Sequence, residues 1–190
     1  RVLPGEITGA PLPSYEATET AVGQGLYLAG DEGLTFRGAW EMETIPGEEL
    51  RADQDATFAI SQEAGARYEL AYNGQEVEIT YSTGPEGGIW LVEMDGQPFL
   101  DTDTGQPLAL DGYNATVRHG VRHTFKAPDP GAHLLAVVNS GDHQPDCVGT
   151  ILTLAQAEVL PPIHQSSLPM ILGLLLAVEA IGILFALLLG

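Results

Sequence analysis

Histidines and the single cysteine are the residues of this sequence best suited to bind a transition metal. His119 and His123 are four residues apart, a spacing that brings two ligands together on a helix. The segment around them reads as strand and turn, where the two side chains would be separated along the sheet. His143 and Cys147 share a short loop, but the sequence does not assure a third ligand of suitable type near them. The sequence therefore predicts no transition-metal site and no cofactor.

A second group of candidate ligands is acidic. Asp101, Asp103 and Gly105 are spaced somewhat as in a calcium-binding loop, and Asp111 follows them. In an EF-hand the glycine stands at position six and a glutamate at position twelve, whereas here Gly105 is fifth and Asp111 eleventh. The pattern indicates an acidic turn, with a structural calcium ion bound by Asp101, Asp103 and Asp111 as the alternative.

Aromatic rings are the third kind of candidate, because the face of a Tyr or Trp ring packs well against a sugar ring. Trp90, Tyr113 and Tyr81 are the candidates for such a glycan-binding surface. We expect most of them in the core, however, since 2 Trp and 6 Tyr are about what a core and a few surface positions require.

Motifs of enzyme active sites are missing from the sequence. It contains no G-x-S-x-G, no phosphate-binding loop, no dinucleotide fingerprint and no C-x-x-C. Carboxylates are abundant, so some pair will lie close by chance. We therefore expect a protein that is not an enzyme.

The charge balance is strongly acidic. Asp and Glu total 26 against 7 Lys and Arg, which gives a formal net charge of -19. Binding to nucleic acid or to an anionic membrane surface needs clustered Lys and Arg, so the composition argues against both. A solvated acidic surface is the simplest explanation, and a high-salt habitat or a basic partner are the alternatives.

Short β-strands separated by turns are predicted from residue 26 to residue 160. This region is rich in Gly and Pro, and it lacks long helical periodicity. Residues 66–72 and 77–81 each place apolar side chains on one face, and Asn73 and Gly74 between them predict a β-hairpin. Further turns are predicted at His119 and Gly120 and in residues 128–131. About ten such strands predict a mainly β domain, a jelly roll or a related sandwich.

The C-terminal residues 168–190 are almost entirely apolar. As a helix they would extend roughly 34 Å, enough to cross a bilayer core of roughly 30 Å. Glu179 is the one charge in this stretch, and it shares a helix face with Gly182, Ala186 and Gly190. A charge in lipid is costly, and small residues allow close helix packing. These four residues therefore predict contact with other membrane helices, and a lone tether with a protonated Glu179 is the alternative.

These features divide the chain into four parts. Residues 1–25 form an extended arm, residues 26–160 a β-sandwich, residues 161–167 a short linker and residues 168–190 a single transmembrane helix. No Lys or Arg lies between Lys126 and the helix, as expected for a flank outside the cytoplasm. We expect the β domain on the extracytoplasmic side of the cell membrane and the C-terminus inside, with a tail-anchored cytosolic protein as the alternative.

Three short motifs and a closing strand occur in a fixed order. The chain reads FRGAW at 36–40, IWLVEMDG at 89–96, GAHLLAV at 131–137 and ILTLAQAEVL at 151–160. In this order they resemble galactose-binding-like β-sandwich modules, a group similar to carbohydrate-binding modules. Such modules are mostly non-catalytic and bind glycans or proteins. The resemblance implies a core or edge position for Trp40, a hairpin turn at Asp95 and Gly96, and a buried, hydrogen-bonded His133.

Two functions follow as hypotheses. The first is an accessory subunit of a membrane protein complex, respiratory or photosynthetic, whose helix packs on integral membrane subunits within the lipid bilayer. The alternative is a surface-tethered carbohydrate-binding module, whose partner is a glycan. Nucleic acid is not expected as a partner in either case.

Overall fold

The computed structural model describes residues 21–101 and 104–162, and these residues form a mainly β fold, as predicted. They contain eleven strands and one single-turn helix, α1 (Gly47–Leu50). Within the two described ranges, no helix has the length and the apolar character that crossing a bilayer requires. The strands are β1 (Gly25–Leu28), β2 (Leu34–Arg37), β3 (Glu41–Ile45), β4 (Ala56–Ser61), β5 (Arg67–Thr83), β6 (Ile89–Met94), β7 (Gln97–Pro98), β8 (Ala109–Asp111), β9 (Arg118–Asn139), β10 (Leu152–Leu154) and β11 (Gln156–Val159).

The strands form two sheets that share one core. The larger sheet has the order β1-β11-β5-β9-β6-β7, with β2 added on β5 and β8 added on β6. The smaller sheet has the order β10-β4-β3. Leu152 and Leu154 of β10 belong to the same buried cluster as Val77 and Ile79 of β5, so the two sheets pack face to face as a β-sandwich.

One long strand replaces the hairpin predicted at Asn73 and Gly74. β5 runs through both residues and pairs with β9 on either side of them. The register shifts there, since Gly74 faces Gly131 whereas Glu76 faces Lys126. At this irregularity the inward-facing positions of β5 change from even-numbered to odd-numbered residues. Both predicted apolar faces are therefore correct, although the predicted hairpin is wrong. The apolar and aromatic side chains that β5 buries are Tyr68, Leu70 and Tyr72 before the shift and Val77, Ile79 and Tyr81 after it.

The turns predicted at residues 119–120 and 128–131 also lie inside a strand, because β9 is continuous through both. At the first register shift, residues 127–130 lie opposite Gln75 alone, so this proline-rich stretch is a bulge. Gly120 lies near a second shift, between Tyr81 and Thr83, and its φ of 72° is in the region that favours glycine. Glycine and proline here bend a strand rather than end it.

The two ends of the described chain meet at one edge of the larger sheet. Val22 forms a bridge with Tyr72, and its N–H donates to the Ala71 carbonyl at 2.8 Å. β1 follows and pairs with β11. Residues 1–20 and 163–190, which include the predicted membrane helix, lie outside the described residues.

Candidate functional site

The smaller sheet has apolar side chains on its outer face as well as on its inner face. Ala59 on β4 pairs with the core residue Leu154, whereas Phe58 next to it points the other way. On that outer face Phe58 packs with Ile45 of β3 and with Ala155 in a second small cluster. A strand that is apolar on both faces is typical of one that is covered on both sides.

The cover over this outer face is incomplete and leaves a cavity of about 520 Å³. This volume lies within the range of small-molecule sites, about 300–1,000 Å³. The floor is the outer face of the smaller sheet, and the walls come from segments near residues 82–87, 117–119 and 148–151. Its apolar lining includes Ile45, Phe58, Ile60, Val117, Val148 and Ile151. Its polar lining includes Glu43, Glu49, Ser82, Glu86, His119 and Thr153.

A hydrogen-bonded pair, Ser82 and His119, lies in the wall of the cavity. Ser82 Oγ is 2.7 Å from His119 Nδ1, and the tautomer of the ring decides which atom donates. The His119 ring packs against Phe58 with the ring centroids 5.6 Å apart. Thr153 Oγ1 accepts the Ser82 N–H at 2.9 Å and donates to the Ser82 carbonyl at 3.0 Å. Residues of β4, β5, β9 and β10 therefore fix the position of the pair.

The wall at residues 84–88 is held by close backbone packing. A Cβ atom on Gly87 would lie 1.8 Å from the Gly112 carbonyl oxygen, so only glycine fits there. The buried Cys147 thiol sulfur lies 3.1 Å from the carbonyl oxygens of Pro85 and Gly87 and 3.2 Å from that of Gly149. The cysteine thus ties the segment 147–149 to the segment 85–87, which explains its presence without a metal.

Two of the three aromatic candidates for sugar binding lie in the core, the position expected for most of them. Trp90 is 0% exposed, donates its indole N–H to the Ile151 carbonyl at 2.9 Å and packs edge-on against Tyr81 at 5.0 Å. Tyr81 is buried as well, and burial raises the pKa of its hydroxyl. Both side chains point inward from their strands, so neither ring has a face left for a sugar. Tyr113 is half-buried and forms a bridge with Gly84 beside the cavity wall.

The carboxylates of the predicted calcium loop organise their own turns. Asp101 Oδ1 accepts hydrogen bonds from the Thr104 N–H at 2.8 Å and from the Thr104 hydroxyl at 2.9 Å. Asp111 accepts from the Tyr113 N–H and from the Gln144 amide, both at 2.9 Å. Asp103 lies outside the described residues. Among residues 21–101 and 104–162, no three His, Cys, Asp or Glu side chains are grouped so that they could hold a metal ion.

The histidines have separate environments. His119 lines the cavity, whereas the ring of His123 packs on Phe125 at 4.7 Å, and burial lowers the pKa of His123. His133 is mostly buried, and its two ring nitrogens each lie 2.8 Å from an oxygen, one from Asp95 and one from the Asp129 carbonyl. His133 thus has the hydrogen-bonded, mostly buried position that the resemblance implied.

The residues predicted to pack against membrane helices lie outside the described residues. They are Glu179, Gly182, Ala186 and Gly190. That prediction therefore rests on the sequence alone.

Sequence reasoning singled out His119 but not the cavity around it. One signal was present, because residues 56–60 read ATFAI and are apolar on both faces of the strand. That pattern indicates that something covers the outer face of β4. Ser82 and Glu86 come from a distant segment, and no local pattern assigns them to the same site.

The comparisons with known proteins define a fold class. No protein-family model matches the chain, and no curated protein matches it. A two-domain esterase active on acetylated mannans, co-crystallized with mannopentaose, matches with a TM-score of 0.51 at 13% identity, over 74% of this chain and 37% of the esterase. The chain thus spans little more than a third of that protein. This likeness shows the fold alone, a β-sandwich also found in a carbohydrate-active enzyme.

Two further structures match less well. A Paenibacillus xanthan lyase matches with a TM-score of 0.49 at 13% identity, over 80% of this chain and 14% of the lyase. The module CsCBM6-3 from Clostridium stercorarium, solved in complex with cellobiose, matches with a TM-score of 0.38 at 11% identity, over 74% of this chain and 97% of the module.

Proposed function

We propose that this chain is a non-catalytic carbohydrate-binding module whose ligand occupies the cavity on the outer face of the smaller sheet. The observation that carries the proposal is the cavity of about 520 Å³, which combines an apolar floor with polar groups along its walls. A sugar ring presents apolar C–H groups on its faces and hydroxyl groups around its edge. A site that binds it needs both kinds of surface, as small-molecule sites generally do.

The polar groups of the cavity have the hydrogen-bonding capacity that hydroxyl groups require. Carboxylates accept hydrogen bonds from hydroxyls, and a serine hydroxyl can both donate and accept. Glu43, Glu86 and Ser82 supply these groups, and the apolar side chains of Phe58 and Ile60 lie on the floor. Phe58 is only 2% exposed, so binding would use aliphatic surface rather than an exposed aromatic ring.

The Ser82–His119 pair supports binding rather than catalysis. A serine nucleophile is activated by a histidine that a third group orients. In the part of the chain that the structure describes, His119 bonds to Ser82 through Nδ1, and its Nε2 has no hydrogen-bonding partner. The sequence also lacks the G-x-S-x-G motif.

The fold supports the proposal at a coarser level. The esterase with the TM-score of 0.51 is active on acetylated mannans and was co-crystallized with mannopentaose. Manno-oligosaccharides are therefore a sensible part of the first set of ligands to test.

The test is isothermal titration calorimetry of the full chain, in mild detergent, with a panel of oligosaccharides. Val117 lines the cavity and is 60% exposed, so Val117→Arg should obstruct the mouth without disturbing the core. We expect Val117→Arg to weaken binding at least about tenfold, a loss of about 1.4 kcal/mol. Leu100, at 54% exposed and not part of the lining, gives the matched control Leu100→Arg. Absence of binding to every saccharide would contradict the proposal, and equal binding by both variants would place the ligand elsewhere.

The membrane-subunit hypothesis is a second candidate, and the apolar stretch 168–190 is the observation that favours it. It would place the sandwich outside the cytoplasm, next to integral membrane partners. Purification in detergent of a Glu179→Leu, Gly182→Leu double variant tests it. Loss of proteins that co-purify with the unmodified chain would support packing through this helix face, and an unchanged set would contradict it.

A further inference from the structure

We infer that the cavity selects an amino sugar whose nitrogen carries a positive charge, in preference to neutral and anionic sugars. This inference rests on the proposed function, because it names the chemical class of the saccharide in the same cavity. The ligand class would be an oligosaccharide of unacylated aminohexoses, in which each ring combines apolar C–H faces, hydroxyl groups and an ammonium group.

Three carboxylates line the cavity and are available to a ligand. Glu43 projects from β3 on the same face as Phe58, Glu49 lies in α1, and Glu86 lies in the wall segment 82–87. All three are exposed. Within residues 21–101 and 104–162, none of their side chains forms a hydrogen bond or an ion pair. A ligand would therefore not have to displace a protein partner from these groups.

Several carboxylates of the larger sheet differ, because basic side chains pair with them. Glu69 pairs with Arg37 and Arg67, and Glu78 pairs with Arg122. Lys126 pairs with Glu76 at 2.8 Å. Among the described residues, no Lys or Arg lines the cavity. Four basic residues are thus paired on the larger sheet. Arg51 and Arg118 have no ion pair among the described residues and are close in sequence to lining residues, but neither lines the cavity, so the lining itself has a net negative charge.

Charge complementarity decides between the classes of sugar. An anionic sugar would meet three carboxylates, and no Lys or Arg among the described lining residues would compensate them, which is repulsive. A neutral sugar gains hydrogen bonds only, whereas an ammonium group also gains charge-assisted bonds, which are stronger. The apolar floor requires a ring with C–H faces, so a linear polyamine would satisfy the charges but not the floor. The carboxylates are exposed, so salt should weaken the preference, with a Debye length of about 10 Å at 0.1 M and about 3 Å at 1 M.

The experiment compares four hexasaccharides on the full chain in mild detergent: glucosamine, N-acetylglucosamine, mannose and galacturonate oligomers. Calorimetric titrations at 0.05 M and 1 M NaCl give the dissociation constants. The Debye length is more than about threefold shorter at the higher of these two salt concentrations. We expect the glucosamine oligomer to bind at least about tenfold more tightly than the neutral oligomers at low salt, a difference of about 1.4 kcal/mol. The galacturonate oligomer should bind most weakly.

A pair of double variants separates the cavity from the acidic surface in general. Glu43→Gln, Glu86→Gln removes two charges from the cavity, and Glu32→Gln, Glu158→Gln removes two charges that do not line it. The first should lose the preference for glucosamine, and the second should keep it. Unchanged thermal midpoints would show that both variants are folded.

Each result decides a different statement. Equal affinity for the glucosamine and neutral oligomers, or loss of the preference in both double variants, overturns the inference and leaves the carbohydrate-binding proposal standing. Absence of binding to all four oligomers overturns the proposed function itself. Tight binding of glucosamine that is lost only in Glu43→Gln, Glu86→Gln supports both.

Discussion

Replacing Trp90 with Phe tests whether its ring serves the core or a ligand. The indole is 0% exposed, and its N–H donates to the Ile151 carbonyl at 2.9 Å. Trp40 provides a matched control, because its indole N–H also donates to a backbone carbonyl at 2.9 Å, that of Arg37. Each indole also packs edge-on against another ring at 5.0 Å. The two sites differ in burial, since Trp40 is only half-buried.

The expected cost follows from these contacts. Losing the indole hydrogen bond should cost about 1 kcal/mol. The Ile151 carbonyl keeps the Gly88 N–H at 3.0 Å, so no further penalty for an unsatisfied acceptor is added. The smaller ring loses buried apolar surface worth about 1 kcal/mol. Trp90→Phe should therefore lower the free energy of unfolding by about 2 kcal/mol, and Trp40→Phe by about 1 kcal/mol or less, because water can replace its bond.

Urea denaturation followed by circular dichroism measures both values, and thermal melts should show Trp90→Phe lower by about 4–8 °C. Saccharide affinity should be unchanged in Trp90→Phe once the protein is folded. Equal stability of the two variants, combined with weaker saccharide binding by Trp90→Phe, would refute the core assignment and return Trp90 to the ligand site.

Three further predictions concern the cavity wall, the half-buried His123 and the thiol of Cys147. Gly87→Ala should lower the free energy of unfolding by about 3 kcal/mol or more, because the new Cβ would overlap backbone atoms. Gly23→Ala is the control, since nothing lies within 4 Å of its new atom, and it should change the free energy of unfolding by less than about 0.5 kcal/mol. Similar urea midpoints for these two variants would contradict the packing argument. Burial lowers the pKa of His123 below 6.5, so the unfolded chain binds a proton more readily than the folded chain, and stability should fall as pH drops through that value. This loss of stability at low pH should be smaller in His123→Asn than in the unmodified chain. If the urea midpoints of the two proteins depended on pH in the same way, His123 would not be the group responsible. Cys147, at 4% exposed, should react slowly with a thiol reagent in the folded protein and completely in denaturant, and rapid labelling without denaturant would show that the wall opens.

The sequence predicted the class of fold because alternation is a local property. The apolar pattern of β5 occupies even-numbered positions at Tyr68, Leu70 and Tyr72 and odd-numbered positions at Val77 and Ile79. All five side chains are buried, as that pattern indicates. The turn at Asp95 and Gly96 was also visible, and both residues have positive φ, 54° and 73°. Such signals depend on neighbours in the chain, so a single sequence contains them.

The hairpin at Asn73 and Gly74 could not be decided in the same way. Both a two-residue turn and a bulge allow the apolar pattern to change parity at Gly74. The choice depends on the pairing partner, and Gly131 of β9 lies far along the chain. Tertiary pairing extends β5 past the expected turn.

The candidate site was predictable only in part. His119 was visible as a candidate metal ligand at a predicted turn, and the pattern ATFAI is typical of a strand covered on both faces. That Ser82 Oγ lies 2.7 Å from His119, and that Glu86 and Glu43 line one cavity, follows from the pairing of distant strands.

By itself the sequence determined a mainly β, acidic domain with inward-facing apolar residues, because charge and alternation are written residue by residue. The tertiary structure decided which aromatic rings are enclosed and where a cavity remains, because both depend on how two sheets and their loops pack. Trp90 shows the difference: its type suggested a sugar platform, and its position between the sheets makes it part of the core.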